Sequence, residues 1–271
     1  MPTLALNNTE LYFRDDGPKT APPILLLHSL FFDSRMFEFQ IAHFSDRFRV
    51  IAPDQRGHGQ SPHPKDGRYD MDTLTDDVIA LIQELKLGPV HVVGNSMGGF
   101  IAIRLAARHR DHVRSLSVVG SSADKEHKIE EYRPLVQALK ENGGAPVIEP
   151  LMYTMFGDTT LADPSRAELR RLWRDRMSGL PKTIGYAAEA VVERSSVVDE
   201  LRDIVAPVLA IAAREDHAYA VDLSEQIARE TARGSFLVVE KAGHSTCLEA
   251  PHEVNSALSK HFASADLVQT V

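Results

Sequence analysis

The chain of 271 residues contains 43% hydrophobic and 25% charged residues, the ordinary composition of a folded protein with a sizeable core. Its net charge of −8 excludes a general nucleic-acid binder, because such proteins need a basic surface. The single cysteine excludes a disulfide framework, and no membrane-spanning run or signal-peptide pattern occurs, so we expect a cytoplasmic protein without a membrane partner.

The first half of the chain alternates predicted strands with predicted helices. Two short strands are predicted over 3–6 and 11–14, and an amphipathic helix over 72–87. Continuous apolar runs, typical of strands covered on both faces, predict further strands at 23–28, 48–53, 90–94 and 113–119. A second helix is predicted at 97–108. This alternation predicts a mostly parallel sheet with right-handed crossovers.

The alternation stops after Gly120. Residues 123–198 are helical in character, with prolines and glycines between short helices and no buried strand. Strands are predicted again at 207–212 and 235–240, followed by a last helix at 251–262. A helical insertion therefore interrupts one parallel-sheet domain.

The sequence Gly-Asn-Ser-Met-Gly-Gly joins a predicted strand to a predicted helix. Ser96 lies at the turn, and Gly94 and Gly98 stand two residues to either side, where side chains would collide across a sharp reversal. This G-x-S-x-G pattern holds a nucleophilic serine in a strained backbone conformation. A serine that only caps the helix would also fit the turn. The interpretation therefore depends on a base and an acid elsewhere.

A serine hydroxyl needs a base to take its proton, and the base needs a third group to hold its tautomer. In enzymes with this turn, the acid and then the histidine follow the serine, on loops after strands. His244 follows the last predicted strand and is the predicted base. Asp216 follows the preceding strand and is the predicted acid, with Glu215 and Asp124 as alternatives. Such loops meet at the carboxyl edge of a parallel sheet.

His217 is the competing candidate for the base. It adjoins the predicted acid and has no glycine that would let it turn towards Ser96. Most other histidines, among them His58, stand in polar contexts and are expected at the surface.

An oxyanion formed at the serine would need two backbone N–H donors. Met97, directly after the serine, is predicted to provide one. The loop after the 23–28 strand is predicted to provide the other from Leu30, with Phe31 as the alternative.

Five segments together resemble the α/β-hydrolase fold family, over about residues 10–264. They are 25–29, 52–61, 94–99, 214–216 and 242–249. The resemblance implies an α/β fold with a mostly parallel eight-stranded sheet flanked by helices. It also implies a helical cap at 123–198 inserted into a core domain of 1–122 and 199–271. The family's roles fall on Ser96 as nucleophile, Asp216 as acid and His244 as base.

The resemblance further implies a hydrolase without cofactor or metal, acting on a small carboxylic ester or lactone. His28-Ser29 stands where the family usually has His-Gly, as in relatives that resemble 3-oxoadipate enol-lactonases. The motif around Ser96 also resembles meta-cleavage-product hydrolases, which cleave carbon–carbon bonds, but their glycine-rich oxyanion loop does not match Leu30-Phe31-Phe32. A non-enzymatic ligand receptor on the same fold is the weaker alternative.

The substrate pocket is expected to use apolar residues from two places. Phe31 and Phe32 flank the oxyanion loop, and Met152, Phe156 and Trp173 belong to the insertion. Packing between cap helices would use the same kinds of residue, so this part of the prediction has a purely structural alternative.

Overall fold

The structure is a computed structural model that describes residues 2–268, and its centre is one eight-stranded sheet. The strands are β1 (Thr3–Leu6), β2 (Thr9–Asp16), β3 (Pro23–Leu27), β4 (Arg49–Pro53), β5 (Val90–Asn95), β6 (Val113–Val119), β7 (Val208–Ala213) and β8 (Gly234–Val239). Their order across the sheet is β1-β2-β4-β3-β5-β6-β7-β8. The pairs β1–β2 and β2–β4 are antiparallel, and all other pairs are parallel. The predicted eight-stranded, mostly parallel sheet is confirmed.

Helices cover the sheet and fill the connections. They are α1 (Glu38–Phe44), α2 (Met71–Glu84), α3 (Met97–Arg108), α4 (Ile129–Asn142), α5 (Ile148–Met155), α6 (Asp158–Ala162), α7 (Ala167–Ser178), α8 (Ile184–Val192), α9 (Val221–Glu230), α10 (Thr246–Glu249) and α11 (Pro251–Val268). Helices α4 to α8 all lie between β6 and β7, where the sequence predicts the helical insertion. Helices α1, α9 and α10 were not predicted.

Burial explains the composition of the central strands. Every residue of β5 and β7 is buried, which is why these segments read as continuous apolar runs without alternation. Helix α3 packs on β5 and β6 and buries eleven of its twelve residues. The carboxyl ends of β5, β6 and β7 therefore lie on one firmly packed edge. None of the helices within residues 2–268 is both long and apolar enough to cross a membrane.

Candidate active site

Ser96 occupies the sharp turn between β5 and α3. Its backbone angles are φ 53° and ψ −114°, an unfavourable conformation for a residue with a side chain. A Cβ atom on Gly94 would overlap the carbonyl of Gly98, and one on Gly98 would overlap the carbonyl of Leu27. The predicted collision at these two positions is confirmed, and it explains why the turn needs both glycines.

His244 lies on the loop after β8 and is held by a carboxylate from the loop after β7. Its Nδ1 atom is 2.9 Å from Asp216 Oδ2 and 3.1 Å from Asp216 Oδ1. Both side chains are almost completely buried, with 1% of each exposed. Asp216 is itself fixed, because Oδ1 accepts hydrogen bonds from the backbone N–H groups of Ala218 and Tyr219. This arrangement orients the imidazole as a general base requires.

The alternative acids and the alternative base face other partners. Glu215 accepts hydrogen bonds from the backbone N–H and hydroxyl of Thr159, at 2.7 and 2.6 Å. Asp124 bonds the exposed ring of His127 at 2.9 Å. The ring of His217 stacks on Tyr153, with centroids 4.0 Å apart. Asp216 is therefore the one of the three candidate acids that the structure brings to His244.

The loop after β3 is fixed by a neutral histidine. His28 Nε2 accepts a hydrogen bond from the backbone N–H of Gln55 at 2.9 Å, so its Nδ1 carries the proton and donates to Ser29 O at 2.8 Å. Burial lowers the pKa of His28 to about 4, which keeps the ring neutral at pH 7. Asp54 adds a second restraint by accepting the backbone N–H of Ser34 at 2.7 Å.

The expectation that His58 lies at the surface is wrong. The residue is 2% exposed, and its ring lies 5.1 Å from that of His28. Burial, with a smaller contribution from His28, lowers the pKa of His58 to about 3. His58 therefore packs against His28 as an uncharged ring.

Phe31 adopts a left-handed backbone conformation in the same loop, with φ 72°. Such a conformation is uncommon for a bulky side chain, and it occurs beside Leu30, whose side chain reaches the same cavity as Ser96. Met97 is the first residue of α3 and is fully buried. The backbone N–H groups of Leu30, Phe31 and Met97 donate no hydrogen bond to another backbone group within residues 2–268.

Ser96 and His244 line one cavity of about 60 Å³, which is partly open to solvent. Its apolar lining comes largely from α4 and α8, which the sequence did not single out. The lining residues on these helices are Tyr132, Leu135, Val136, Leu139, Ala188, Val191 and Val192. The spacing of three and four residues on α4 is a helical stripe, so the signal was present in the sequence.

Phe31 lines this cavity, whereas the other four expected pocket residues do not. Phe32 instead packs against Trp173, with ring centroids 4.6 Å apart, and against Phe156 at 6.3 Å. Phe156 and Trp173 have no exposed surface, and Met152 is 2% exposed. Phe32, Phe156 and Trp173 therefore form a buried contact between the insertion and the β3 loop, as in the structural alternative, and Met152 is buried as well.

A short segment of the insertion is bonded to the loop that carries His244 and to α10, which follows that loop. Gly157 N–H donates to Glu249 Oε2 at 2.9 Å, and Ser245 N–H donates to Met155 O at 3.0 Å. The backbones of Gly157 and Gly243 approach so closely that a Cβ atom on either would meet the other. Hydrogen bonds and close backbone packing therefore hold the insertion to the sheet domain around residues 155–157.

Two further features concern cofactors and thiol chemistry. The described part of the chain contains no group of three or more His, Cys, Asp or Glu side chains that could hold a metal ion. Cys247 is fully buried, and burial raises its pKa to about 12, so the thiol remains protonated.

Comparison with known proteins identifies the family. The family model described as the alpha/beta hydrolase fold matches residues 22–251. The chain is 28% identical to 3-oxoadipate enol-lactonase 2 of Acinetobacter baylyi over 256 residues, covering 94% of each protein. It is 32% identical to 2-hydroxymuconate semialdehyde hydrolase of a Pseudomonas species over 229 residues, covering 80% of this chain and 77% of the relative.

A solved structure gives the same result. A thermophilic esterase from Thermogutta terrifontis matches with a TM-score of 0.89 at 26% identity, covering 98% of this chain and 99% of the esterase. The resemblance predicted from the five sequence segments is confirmed. The chain belongs to the α/β-hydrolase fold family.

Proposed function

We propose that the protein is a serine hydrolase of small carboxylic esters or lactones, with Ser96 as nucleophile, His244 as base and Asp216 as acid. The observation that carries the proposal is the common cavity of Ser96 and His244, in which the imidazole is held by Asp216 at 2.9 Å. The similarity to an esterase and to an enol-lactonase supports the choice of ester or lactone.

The reaction would proceed in two halves. Ser96 Oγ attacks the carbonyl carbon while His244 Nε2 accepts the hydroxyl proton, and Asp216 stabilises the resulting imidazolium. The backbone N–H groups of Met97 and Leu30 would stabilise the oxyanion. The tetrahedral intermediate then expels the alcohol oxygen, which takes the proton from His244. Water, deprotonated by His244, hydrolyses the acyl-enzyme and releases the acid.

A carbon–carbon hydrolase is the second candidate, because the chain is 32% identical to 2-hydroxymuconate semialdehyde hydrolase. The same three residues would serve that reaction. This candidate is tested by measuring the rate at which the protein hydrolyses a dienoate ring-fission product, in comparison with p-nitrophenyl acetate and several lactones.

We also propose that residues 123–198 form a lid that shapes the pocket without supplying Ser96, Asp216 or His244. The support is that α4 and α8 contribute most of the apolar lining. Helices over a sheet-end site exclude water and define the apolar part of a pocket.

The test of the proposed function is Ser96→Ala with p-nitrophenyl acetate. We expect kcat to fall by about 10³-fold or more while the thermal unfolding temperature is unchanged. Ser256→Ala is the matched control, because Ser256 is exposed on α11. Full esterase activity in Ser96→Ala would refute the proposal, and a protein that turns over no ester, lactone or ring-fission product would point to the receptor alternative.

A further inference from the structure

The cavity beside Ser96 is lined almost entirely by hydrocarbon. Leu30 and Phe31 line it from the β3 loop, and Met155 lines it from α5. Together with the stripes of α4 and α8, these residues give a wall that favours an apolar group.

One carboxylate interrupts this apolar lining. Among the described residues that line the cavity, Glu126 carries the only carboxylate, and none is a lysine or an arginine. Its side chain is 7% exposed and lies 3.3 Å from the guanidinium of Arg194. The other oxygen, Oε1, accepts the backbone N–H of Lys128 at 3.0 Å.

Arg194 is the cation nearest to Glu126 by contact, but it is already engaged. Its Nε donates to Asp124 O and its Nη1 to Val191 O, each at 2.9 Å. Its guanidinium also lies 4.2 Å from the centre of the Phe100 ring. Arg194 is therefore paired with Glu126 and with carbonyl oxygens, and it is not among the residues that line the cavity.

The two tyrosines of the lining add no charge. Burial raises the pKa of Tyr132 to about 12, and burial raises that of Tyr219 still further. Both are protonated phenols at neutral pH. A substrate carboxylate in this cavity would lose its hydration, find no lysine or arginine among the described lining residues and face the carboxylate of Glu126.

We propose that the cavity selects esters or lactones whose acyl part is uncharged and mainly apolar, and that Glu126 excludes acyl chains that end in a carboxylate. This inference rests on the proposed serine hydrolase function and specifies its substrate class.

The test compares two esters of equal acyl length, p-nitrophenyl hexanoate and the mono-p-nitrophenyl ester of adipic acid, at pH 7.5. For the wild-type protein we expect kcat/KM to favour the hexanoate by about 100-fold or more. In Glu126→Gln this ratio should fall by about 10-fold, because the opposing charge is gone and Arg194 is left uncompensated. Glu130→Gln is the matched control and should leave the ratio unchanged, because Glu130 lies in the first turn of α4, is exposed, pairs with Arg133 and does not line the cavity.

Each outcome separates the two proposals. Equal or faster Ser96-dependent hydrolysis of the adipate ester would overturn the substrate class and leave the hydrolase intact. A hexanoate preference that Glu126→Gln does not reduce would overturn the role of Glu126. Should that variant fail to fold, the wild-type ratio alone decides the substrate class. Activity that survives Ser96→Ala would overturn the serine hydrolase itself. Hydrolysis of neither ester would overturn the preference for apolar acyl esters, and the lactone and ring-fission assays would then decide the hydrolase.

Discussion

Substitution of Gly157 by alanine tests whether the insertion helps to position the loops of Asp216 and His244. A Cβ atom at Gly157 would lie 2.7 Å from the backbone nitrogen of Gly243, 2.8 Å from Glu215 Oε2 and 3.0 Å from the carbonyl carbon of Ala242. All three neighbours belong to the two loops after β7 and β8. Because an ordinary carbon contact needs about 3.4 Å, one of these backbones must move by roughly 0.5–1 Å.

The expected magnitudes follow from that displacement. Overpacking of this kind costs about 1–3 kcal/mol, which corresponds to a fall of about 2–5 °C in Tm for a chain of this size. A displacement of His244 approaching 1 Å relative to Ser96 reduces kcat by up to about 100-fold, because the proton transfer requires close alignment. We therefore expect kcat to fall by about 10- to 100-fold in Gly157→Ala.

The assay is kcat and KM on p-nitrophenyl acetate together with thermal unfolding of the same preparations. Gly179→Ala is the matched control from the same insertion, because its Cβ atom would have no neighbour closer than 3.5 Å. The control should retain wild-type kcat and Tm. If Gly157→Ala kept a kcat within about two-fold of wild type and an unchanged Tm, the reasoning that the close approach of Gly157 and Gly243 fixes the loops would be refuted.

Three further predictions concern the acid, the buried histidine and the pocket. Asp216→Asn should lower kcat by about 10³- to 10⁴-fold through the wrong imidazole tautomer, while Glu215→Gln should be mild; the reverse ranking in the ester assay would move the acid elsewhere. Burial lowers the pKa of His58 to about 3 in the native protein. Below pH 6.5 the unfolded chain therefore binds a proton at this histidine that the native protein does not bind. The free energy of unfolding consequently decreases as the pH falls from 6.5 towards 3. Urea unfolding at pH 7 and pH 4.5 should therefore give a loss about 2–3 kcal/mol smaller in His58→Gln than in wild type, and equal losses would contradict the assignment. Leu139→Ala should shift kcat/KM in favour of longer acyl chains, because Leu139 lines the cavity. Met152→Ala should lower Tm without changing the order of preferred substrates, because Met152 is buried away from the cavity lining. A changed order in Met152→Ala would show that Met152 belongs to the pocket.

The fold and the candidate residues near Ser96 were predictable because their signals are local. A strand buried on both faces is a continuous apolar run, and a sharp strand-to-helix turn needs glycines at fixed positions. Loops after consecutive parallel strands meet at one sheet edge, so Asp216 and His244 could be expected near Ser96 before their separation was known.

The remainder depended on contacts between distant segments. His58 looks exposed in its polar sequence, but His28 and the β3 loop, thirty residues earlier in the chain, cover it. Met152 and Trp173 are as apolar as Leu139. The sequences of their helices do not show which apolar face lies towards Ser96 and which lies towards Phe32. Helix α9 was missed because only two of its residues, Ser224 and Ile227, are buried.

The proposed catalytic residues and most of the apolar lining come from different segments of the chain, and this separation affects how specificity could change over evolutionary time. Ser96, Asp216 and His244 come from segments before 122 and after 199, whereas α4 and α8 supply most of the apolar lining of the cavity. Substitutions in the apolar stripes of these two helices would therefore change which substrates fit, and the proposed triad of Ser96, Asp216 and His244 would remain intact. The close backbone approach of Gly157 and Gly243 restricts such changes. A chimaera that exchanges the insertion between relatives must therefore keep glycine at both positions.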